Sequence, residues 1–135
     1  MNNRRDFLKA SLVVSAGLAA TGLMPGSARA ATIPEGIIYT KENPGRWAGK
    51  EGSHSPVITV EGNKLTVETK HEMTEHHYIV KHTVISGDGQ VLDENTFYPT
   101  DEKAISTFEI EGTHSMLYVT SFCDIHDLWL AEVKL

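Results

Sequence analysis

Residues 31–135 of the chain predict an all-β fold, an immunoglobulin-like antiparallel β-sandwich of about seven strands. Three observations support this prediction. Short segments alternate in polarity and are rich in β-branched and aromatic side chains. Turn-forming residues, mainly Gly, Pro, Asn and Asp, separate these segments at short intervals. Helical signals are scarce throughout this part of the chain.

The predicted strands follow an arm, residues 33–56, which is dense in glycine and proline and is therefore expected to be irregular. The segments VITV and KLTVETK flank Glu61-Gly62-Asn63, which is a hairpin signal. The segment His77–Ser86 alternates and ends at Gly87-Asp88-Gly89. The remaining predicted strands are QVLDENTFY, AISTFEIEG, SMLYVTSFC and LWLAEVKL. This pattern predicts one domain without internal repeats.

Residues 1–30 predict a cleavable twin-arginine signal peptide. Arg4 and Arg5 precede an apolar run that ends near Leu23, and Ala28-Arg29-Ala30 supplies the small residues typical of a cleavage site. The run is shorter than the roughly 20 residues that a membrane-spanning helix needs, which disfavours the alternative of an uncleaved anchor. We therefore expect the domain 31–135 to be exported in folded form to the periplasm.

The net charge of the mature domain limits the classes of partner that it can attract. The whole chain carries −6, and the signal segment carries +3 because four cationic residues oppose one aspartate, so residues 31–135 carry −9. Nucleic acid and anionic lipid both attract basic patches. We therefore expect no nucleic-acid partner, and no membrane partner once the signal is removed.

Cys123 is the only cysteine in the chain, so no disulfide can form within it. A single cysteine in an exported protein indicates an intermolecular disulfide, a free thiol or another use of the sulfur. The twin-arginine route carries folded proteins, often with a cofactor already bound. It favours metal ligation here, since the thiolate would be bound before it met an oxidising compartment.

Histidines are frequent, and several lie in positions from which they can join Cys123. The seven are His54, His71, His76, His77, His82, His114 and His126. His126 follows Cys123 by three residues, so one metal ion can bind both. His71 and His77 lie at the two ends of a predicted loop that can bring both rings to one point. Together with His54 in the glycine-rich arm, three loops would deliver four imidazoles and one thiolate to one metal.

Two other histidines are expected to take no part in this cluster. His82 lies in the middle of a predicted strand, and His114 lies in a turn after Gly112. Neither has a second donor nearby in the sequence. We predict both to be solvated surface side chains and not metal ligands.

The donor set favours iron over the other common metals. Structural zinc is four-coordinate and prefers sites such as Cys₂His₂, which five donors overfill. Blue copper needs two histidines, one cysteine and a weak axial methionine, and no methionine follows Cys123. Four nitrogens and one sulfur suit iron, with one coordination position left open for a substrate.

Three segments of the sequence resemble the motifs of a known family. HEMTEHHYI has two histidines six residues apart, CDIHDLW holds a cysteine, a histidine and a tryptophan, and GSHSPVI places a histidine before Pro-Val-Ile. Spread over about residues 45–135, they resemble the superoxide reductase family, which comprises neelaredoxin and the iron domain of desulfoferrodoxin. The resemblance implies one iron with five protein ligands, which are His54, His71, His77, Cys123 and His126.

The sequence also departs from the family pattern close to these residues. The replacements are Glu72 for a proline, Asp124 for an asparagine and Asp127 for a glycine. Gly52-Ser53 stands where the family has a Glu-Lys pair, whose glutamate can bind the resting iron and whose lysine attracts the anionic substrate. Lys50 and Glu51 lie just before it in reverse order, and they are candidate catalytic residues for these two roles.

The resemblance implies a superoxide reductase, which reduces superoxide by one electron to hydrogen peroxide at a mononuclear iron that alternates between Fe²⁺ and Fe³⁺. The chain has no rubredoxin-like cysteines, so an external donor, a small redox protein or a cytochrome, must supply the electron. One alternative is a non-catalytic iron electron carrier or small-ligand sensor. Another is a β-sandwich interaction module with incidental histidines. The sequence leaves homo-oligomer formation open.

Overall fold

Eight strands form two sheets in the computed structural model, which describes residues 34–135. The predicted signal peptide, residues 1–30, lies outside the described residues. Across residues 34–135, no helix combines the length and the apolar character needed to cross a membrane. The strands are β1 Ile38–Tyr39, β2 Val57–Glu61, β3 Lys64–Thr69, β4 Ile79–Ser86, β5 Val91–Thr96, β6 Ala104–Glu109, β7 Met116–Cys123 and β8 Asp127–Lys134. The prediction of an all-β sandwich is confirmed, with one strand more than expected.

The additional strand lies in the arm and runs parallel to its neighbour. One sheet has the order β1-β8-β7-β4-β5 and the other has the order β2-β3-β6, and all pairs are antiparallel except β1 with β8. Tyr39 in β1 pairs with Trp129, and their ring centroids are 5.8 Å apart. Because both rings are almost fully buried, this contact gives the arm a fixed place against β8.

The arm is therefore more ordered than the sequence predicted. It contains a 3₁₀ turn, Gly45–Trp47, and a one-turn helix, α1, Glu51–His54. The Gly45 backbone has φ of +52°, and a Cβ at this position would lie 3.1 Å from the Tyr39 ring. Glycine thus lets the chain turn closely around Tyr39 before α1 begins.

Alternation within the strands determines which side chains form the main core. Along β3 and β6, every second residue is buried, because successive side chains of a strand point to opposite faces. The inward positions from both sheets meet in one apolar cluster, which consists of Leu65, Val67, Val84, Phe108, Ile110, Leu117, Val119 and Val133.

His82 corrects one prediction, because it is a core residue and not a solvated surface side chain. Its exposed fraction is 0 %. Its Nε2 lies 2.8 Å from Thr69 Oγ1 and its Nδ1 lies 2.8 Å from Ser106 Oγ, while Thr69 Oγ1 also contacts Ser121 Oγ at 2.7 Å. Burial lowers the pKa of His82 to about 4, so the ring is neutral near pH 7. Hydroxyl groups from three neighbouring strands make this burial possible.

A second, smaller apolar cluster lies at one end of the sandwich. It consists of Ile79, Phe97, Ala104 and Cys123, with Met73 packed against it. Strand pairing brings the end of β7 and the starts of β4 and β8 together here, because Cys123 pairs with both Ile79 and Asp127. The loops that join these strands therefore meet around the Cys123 sulfur.

Candidate metal centre

Five side chains converge at this end of the sandwich. One donor atom from each lies within 4.8 Å of the donor atoms of all the others, and the residues are His54, His71, His77, Cys123 and His126. They are the same five residues that the sequence singled out. In the described part of the chain, neither His82 nor His114 belongs to this group.

His54 reaches the group from the arm, at the last position of α1. Its side chain is 3 % exposed. The ring Nδ1–H donates to the Lys50 carbonyl oxygen at 3.2 Å, with Ser53 Oγ also 2.8 Å from Nδ1. The His54 main-chain N–H donates to the same carbonyl at 3.1 Å. One acceptor thus fixes both the backbone and the ring of His54, and directs its Nε2 towards the group.

The loop between β3 and β4 supplies His71 and His77. Glu72, which follows His71 directly, contacts both rings. The Nδ1–H of His71 donates to the Glu72 carbonyl oxygen, and the Nδ1–H of His77 donates to Glu72 Oε1 at 3.1 Å. The His77 backbone is held separately, by reciprocal N–H to carbonyl bonds with Thr74 at 3.0 and 3.2 Å.

These outer hydrogen bonds determine which nitrogen of each ring carries the proton. A neutral imidazole has one N–H, so a ring that donates from Nδ1 to an oxygen without a proton has a bare Nε2. His71 Nε2 lies 2.9 Å from His77 Nε2, which brings two lone pairs face to face. His126 Nδ1 lies 2.9 Å from His77 Nε2 and 3.1 Å from His54 Nε2. A single proton on His126 Nδ1 cannot satisfy all of these contacts, whereas a central cation can.

The spacing of the donors fits a metal ion. Nitrogen separations of 2.9 to 3.1 Å match two ligands at right angles around an ion about 2.1 Å from each. The sulfur is somewhat further away, with Sγ of Cys123 3.7 Å from His126 Nδ1 and 3.9 Å from His71 Nε2. Four nitrogens and one sulfur exceed the four ligands of a structural zinc site.

Burial favours the neutral forms of His54, His71, His126 and Cys123 when no cation is bound. Burial, followed by the proximity of His71, lowers the pKa of His54 to about 4. Burial is also the largest cause that lowers the pKa of His71 and of His126. It raises the pKa of the Cys123 thiol, although the main-chain N–H of His126 donates to the sulfur at 3.4 Å. A bound cation would reverse this for the sulfur, because metal binding stabilises the thiolate.

His126 is held from the side of the arm. Trp47 packs edge-on against its ring with centroids 4.6 Å apart, and Trp47 Nε1–H donates to Asp127 Oδ2 at 3.0 Å. Arg46 forms an ion pair with the same oxygen at 2.6 Å. Asp127 has φ of +66°, a left-handed conformation that aspartate tolerates better than most residues. The aspartate that replaces a glycine thus joins the arm to the turn that carries His126.

Comparison with known proteins agrees with the fold and the group of donors. The sequence profile described as Desulfoferrodoxin matches residues 46–132. The chain belongs to the desulfoferrodoxin family. A profile of the twin-arginine translocation signal also matches residues 1–23, which indicates that this desulfoferrodoxin-family protein is exported. No curated protein sequence matches the chain.

Solved structures similar to this desulfoferrodoxin-family protein include superoxide reductases. The enzyme from Giardia intestinalis has a TM-score of 0.57 at 20 % identity, over 62 % of this chain and 98 % of that chain. The neelaredoxin from Ignicoccus hospitalis has a TM-score of 0.60 at 23 % identity, over 73 % and 93 %. A superoxide reductase in the oxidized state has a TM-score of 0.56 at 26 % identity, over 73 % and 96 %. The likeness establishes the fold.

The two candidate catalytic residues lie at the start of α1 in this family member. Glu51 is turned towards the arm, since both of its carboxylate oxygens accept the Gly49 N–H at 3.1 and 3.0 Å, and this bond lowers the pKa of Glu51. After burial, the positive charge of Lys50 is the largest cause that lowers the pKa of His126. The positive charge of Lys50 therefore acts on His126.

Sequence reasoning missed the residues that orient the donors. Glu72 and Asp127 stood out only as departures from a motif, and Arg46 and Trp47 carried no signal at all. Arg46 and Asp127 are 81 residues apart in the sequence, so only the folded chain brings them together. His114 lies in the loop between β6 and β7, with Nε2 2.9 Å from the Glu111 carbonyl oxygen.

Proposed function

We propose that this protein is a superoxide reductase, which reduces superoxide by one electron to hydrogen peroxide at a mononuclear non-haem iron. One observation carries the proposal, namely the convergence of four imidazole nitrogens and one sulfur, with too few ring protons to hydrogen-bond all of the close nitrogen pairs. Family membership and a fold shared with superoxide reductases support it. The coarser conclusion, an exported oxidoreductase of the desulfoferrodoxin family, rests on these matches and the signal profile.

The proposed ligand atoms of His54, His71 and His77 follow from the proton positions deduced above, and those of His126 and Cys123 follow from their distances to these atoms. They are the Nε2 atoms of His54, His71 and His77, the Nδ1 atom of His126 and the Sγ atom of Cys123. The outer partners of the histidines hold each ring so that its lone pair points inwards. The His126 N–H to sulfur bond orients the thiolate and moderates its electron donation.

When bound, ferrous iron supplies the single electron that superoxide takes up, and two protons complete hydrogen peroxide. The protein's part is to keep the imidazoles neutral, the thiolate bound and the remaining position accessible to a small anion. The depressed pKa values of His54, His71 and His126 keep these rings unprotonated near pH 7.

Lys50 and Glu51 are the proposed catalytic residues beside the metal. The Lys50 ammonium would attract superoxide, since its positive charge acts on His126 in a domain that is otherwise acidic. Glu51 could take the resting-state position of a family glutamate only after leaving the Gly49 N–H. Lys50 is therefore the better placed of the two.

The remaining parts of the proposal concern the partners and the compartment. We propose that an external donor, a small redox protein or a cytochrome, re-reduces the iron, and that the reaction takes place in the periplasm. A net charge of −9 for residues 31–135 suits a cationic donor.

A second candidate is a non-catalytic iron electron carrier or small-ligand sensor with the same ligands. It is favoured by Gly52-Ser53 in place of the Glu-Lys pair and by the Glu51 carboxylate, which is engaged by the Gly49 N–H. The two candidates differ in whether the ferrous protein consumes superoxide rapidly.

The test is anaerobic loading of the mature domain with ferrous iron, followed by pulsed generation of superoxide. We expect about one iron per chain, second-order oxidation by superoxide and one hydrogen peroxide per iron oxidised. Iron binding without reaction would favour the carrier or sensor. The iron centre itself would be refuted if the domain bound one zinc per chain and, after incubation with iron and oxidation, showed no visible absorption band.

A further inference from the structure

One residue of the loop 71–77 contacts two members of the donor group in two different ways. The main-chain carbonyl of Glu72 accepts the His71 Nδ1–H, and its side-chain Oε1 accepts the His77 Nδ1–H at 3.1 Å. We propose that Glu72 is a positioning residue of the metal centre, which orients both rings and, through its carboxylate, makes His77 a stronger nitrogen donor than His54 or His71. This inference rests on the metal centre of the proposed function.

The acceptors of the outer hydrogen bonds are not equivalent. His54 and His71 donate from Nδ1 to neutral carbonyl oxygens, whereas His77 donates to a carboxylate. Hydrogen bonds to an ionised acceptor are stronger than those between neutral groups. A carboxylate that accepts the far N–H of an imidazole raises the basicity of the ring and fixes its orientation. His77 therefore differs electronically from the other two rings.

The carboxylate is not needed to hold the loop in place. His77 and Thr74 exchange two main-chain hydrogen bonds, and Thr74 Oγ1 adds contacts of 3.1 Å to both the N–H and the carbonyl of His77. The side chain of Glu72 is 64 % exposed in its pair with His77, where an ion pair adds little to fold stability. Removing the carboxylate should therefore alter the ring of His77 while the backbone of the loop remains unchanged.

The loop offers a matched control for the loss of charge. Glu75 is exposed and lies two residues before His77, and its side chain makes no hydrogen bond to a histidine of the group among residues 34–135. Glu72→Gln and Glu75→Gln remove the same charge from the same loop. Only the first removes a charged acceptor from His77 Nδ1.

The experiment measures three properties of wild type and both variants. These are the affinity of the metal-free mature domain for Co²⁺, the midpoint potential of the iron-loaded form and the thermal unfolding of the metal-free form. In Glu72→Gln we expect about tenfold weaker Co²⁺ binding, the lower end of the range for losing an outer partner of a metal-bound histidine. Its potential should rise, because the weaker donor stabilises ferric iron less. Glu75→Gln should stay close to wild type in affinity, and metal-free unfolding should be unchanged in both.

The possible results distinguish the role of Glu72 from the existence of the metal centre. If Glu72→Gln and Glu75→Gln have equal Co²⁺ affinities and equal potentials while the wild type binds metal normally, the role of Glu72 is wrong and the metal centre stands. If Glu72→Gln lowers the unfolding temperature of the metal-free form and Glu75→Gln does not, the carboxylate stabilises the fold itself and the proposal fails. If the wild type binds neither Co²⁺ nor iron, the proposed function fails together with this inference.

Discussion

The chain buries histidine in two regions and treats it differently in each. In the core, His82 is fully enclosed, and both ring nitrogens contact hydroxyl groups, on Thr69 and Ser106. At the end of the sandwich, His54 is almost as well buried, yet its Nε2 faces another ring nitrogen, on His126. Burial and a depressed pKa are common to both regions, so neither property distinguishes a metal ligand from a core residue.

The distinction lies in the partners. A hydroxyl can donate or accept, so His82 is satisfied in either tautomer. The outer partners at the end of the sandwich include carbonyl and carboxylate oxygens that can only accept, so they draw the imidazole protons outwards. The inward Nε2 atoms of His54, His71 and His77 then have lone pairs and no proton to share.

The replacement Cys123→Ser should remove the only sulfur from the donor group. A thiolate bound to ferric iron gives a charge-transfer band in the visible region, and serine cannot produce it. We expect the band to vanish completely in iron-loaded, oxidised protein. His114→Gln is the control, since His114 lies outside the group, and it should leave the band unchanged. A band that survives in the Cys123 variant would exclude this sulfur as a ligand.

Glutamine in place of His77 or His82 should have opposite effects in the two regions. His77→Gln should weaken Co²⁺ binding by more than about 100-fold, which is the upper end of the range for losing the hydrogen-bond partner of a metal ligand. The stability of the metal-free form should change little. His82→Gln should keep full metal binding and lose about 1–3 kcal/mol of unfolding free energy, because buried hydroxyls lose partners. Metal titration and urea unfolding measure both. Loss of the iron band in His82→Gln would mean that the ligand set is wrong.

Acid should destabilise the metal-free domain through His82. The folded-state pKa of His82 is about 4, below its unfolded value of 6.5. Its neutral form therefore contributes fully to stability above pH 6.5, and the contribution is lost as the pH falls towards 4. The loss amounts to about 3 kcal/mol. Urea unfolding at pH 7 and at acidic pH should show that the unfolding free energy of His82→Gln decreases less with acid than that of wild type. If the two proteins lose the same unfolding free energy, His82 is not the cause of the acid effect.

Lys50→Ala should have the smallest effect, a severalfold slower reaction with superoxide. If the ammonium steers the anion, added salt should slow wild type more than the variant, because the rates of charged encounters depend on ionic strength. Lys41→Ala, an exposed lysine of the same arm, is the matched control. Equal rates and equal salt dependence in all three proteins would exclude Lys50 from the mechanism.

The sequence predicts most of the strands well and the arm poorly. Seven strands and the five convergent donors could be read from the sequence, because alternation and short motifs are local patterns. The strand β1 and the helix α1 could not, since β1 depends on Tyr39 packing against Trp129, far away in the sequence. His82 was misplaced for the same reason. Its hydroxyl partners lie 13 and 24 residues away, on other strands.

The order of the donors along the chain has a consequence for how a small exported protein with one cysteine is held together. His54 and His126 are separated by 72 residues, and they meet at 3.1 Å. A single ion bound to both would cross-link the arm to the final hairpin, as a disulfide would. By the chain-entropy estimate for a disulfide, closing a loop of this length restricts the unfolded chain by about 4 kcal/mol. Iron would then supply the cross-link that a chain with one cysteine cannot form as a disulfide. The iron-loaded domain should therefore resist heat and proteases that unfold or cleave the metal-free form.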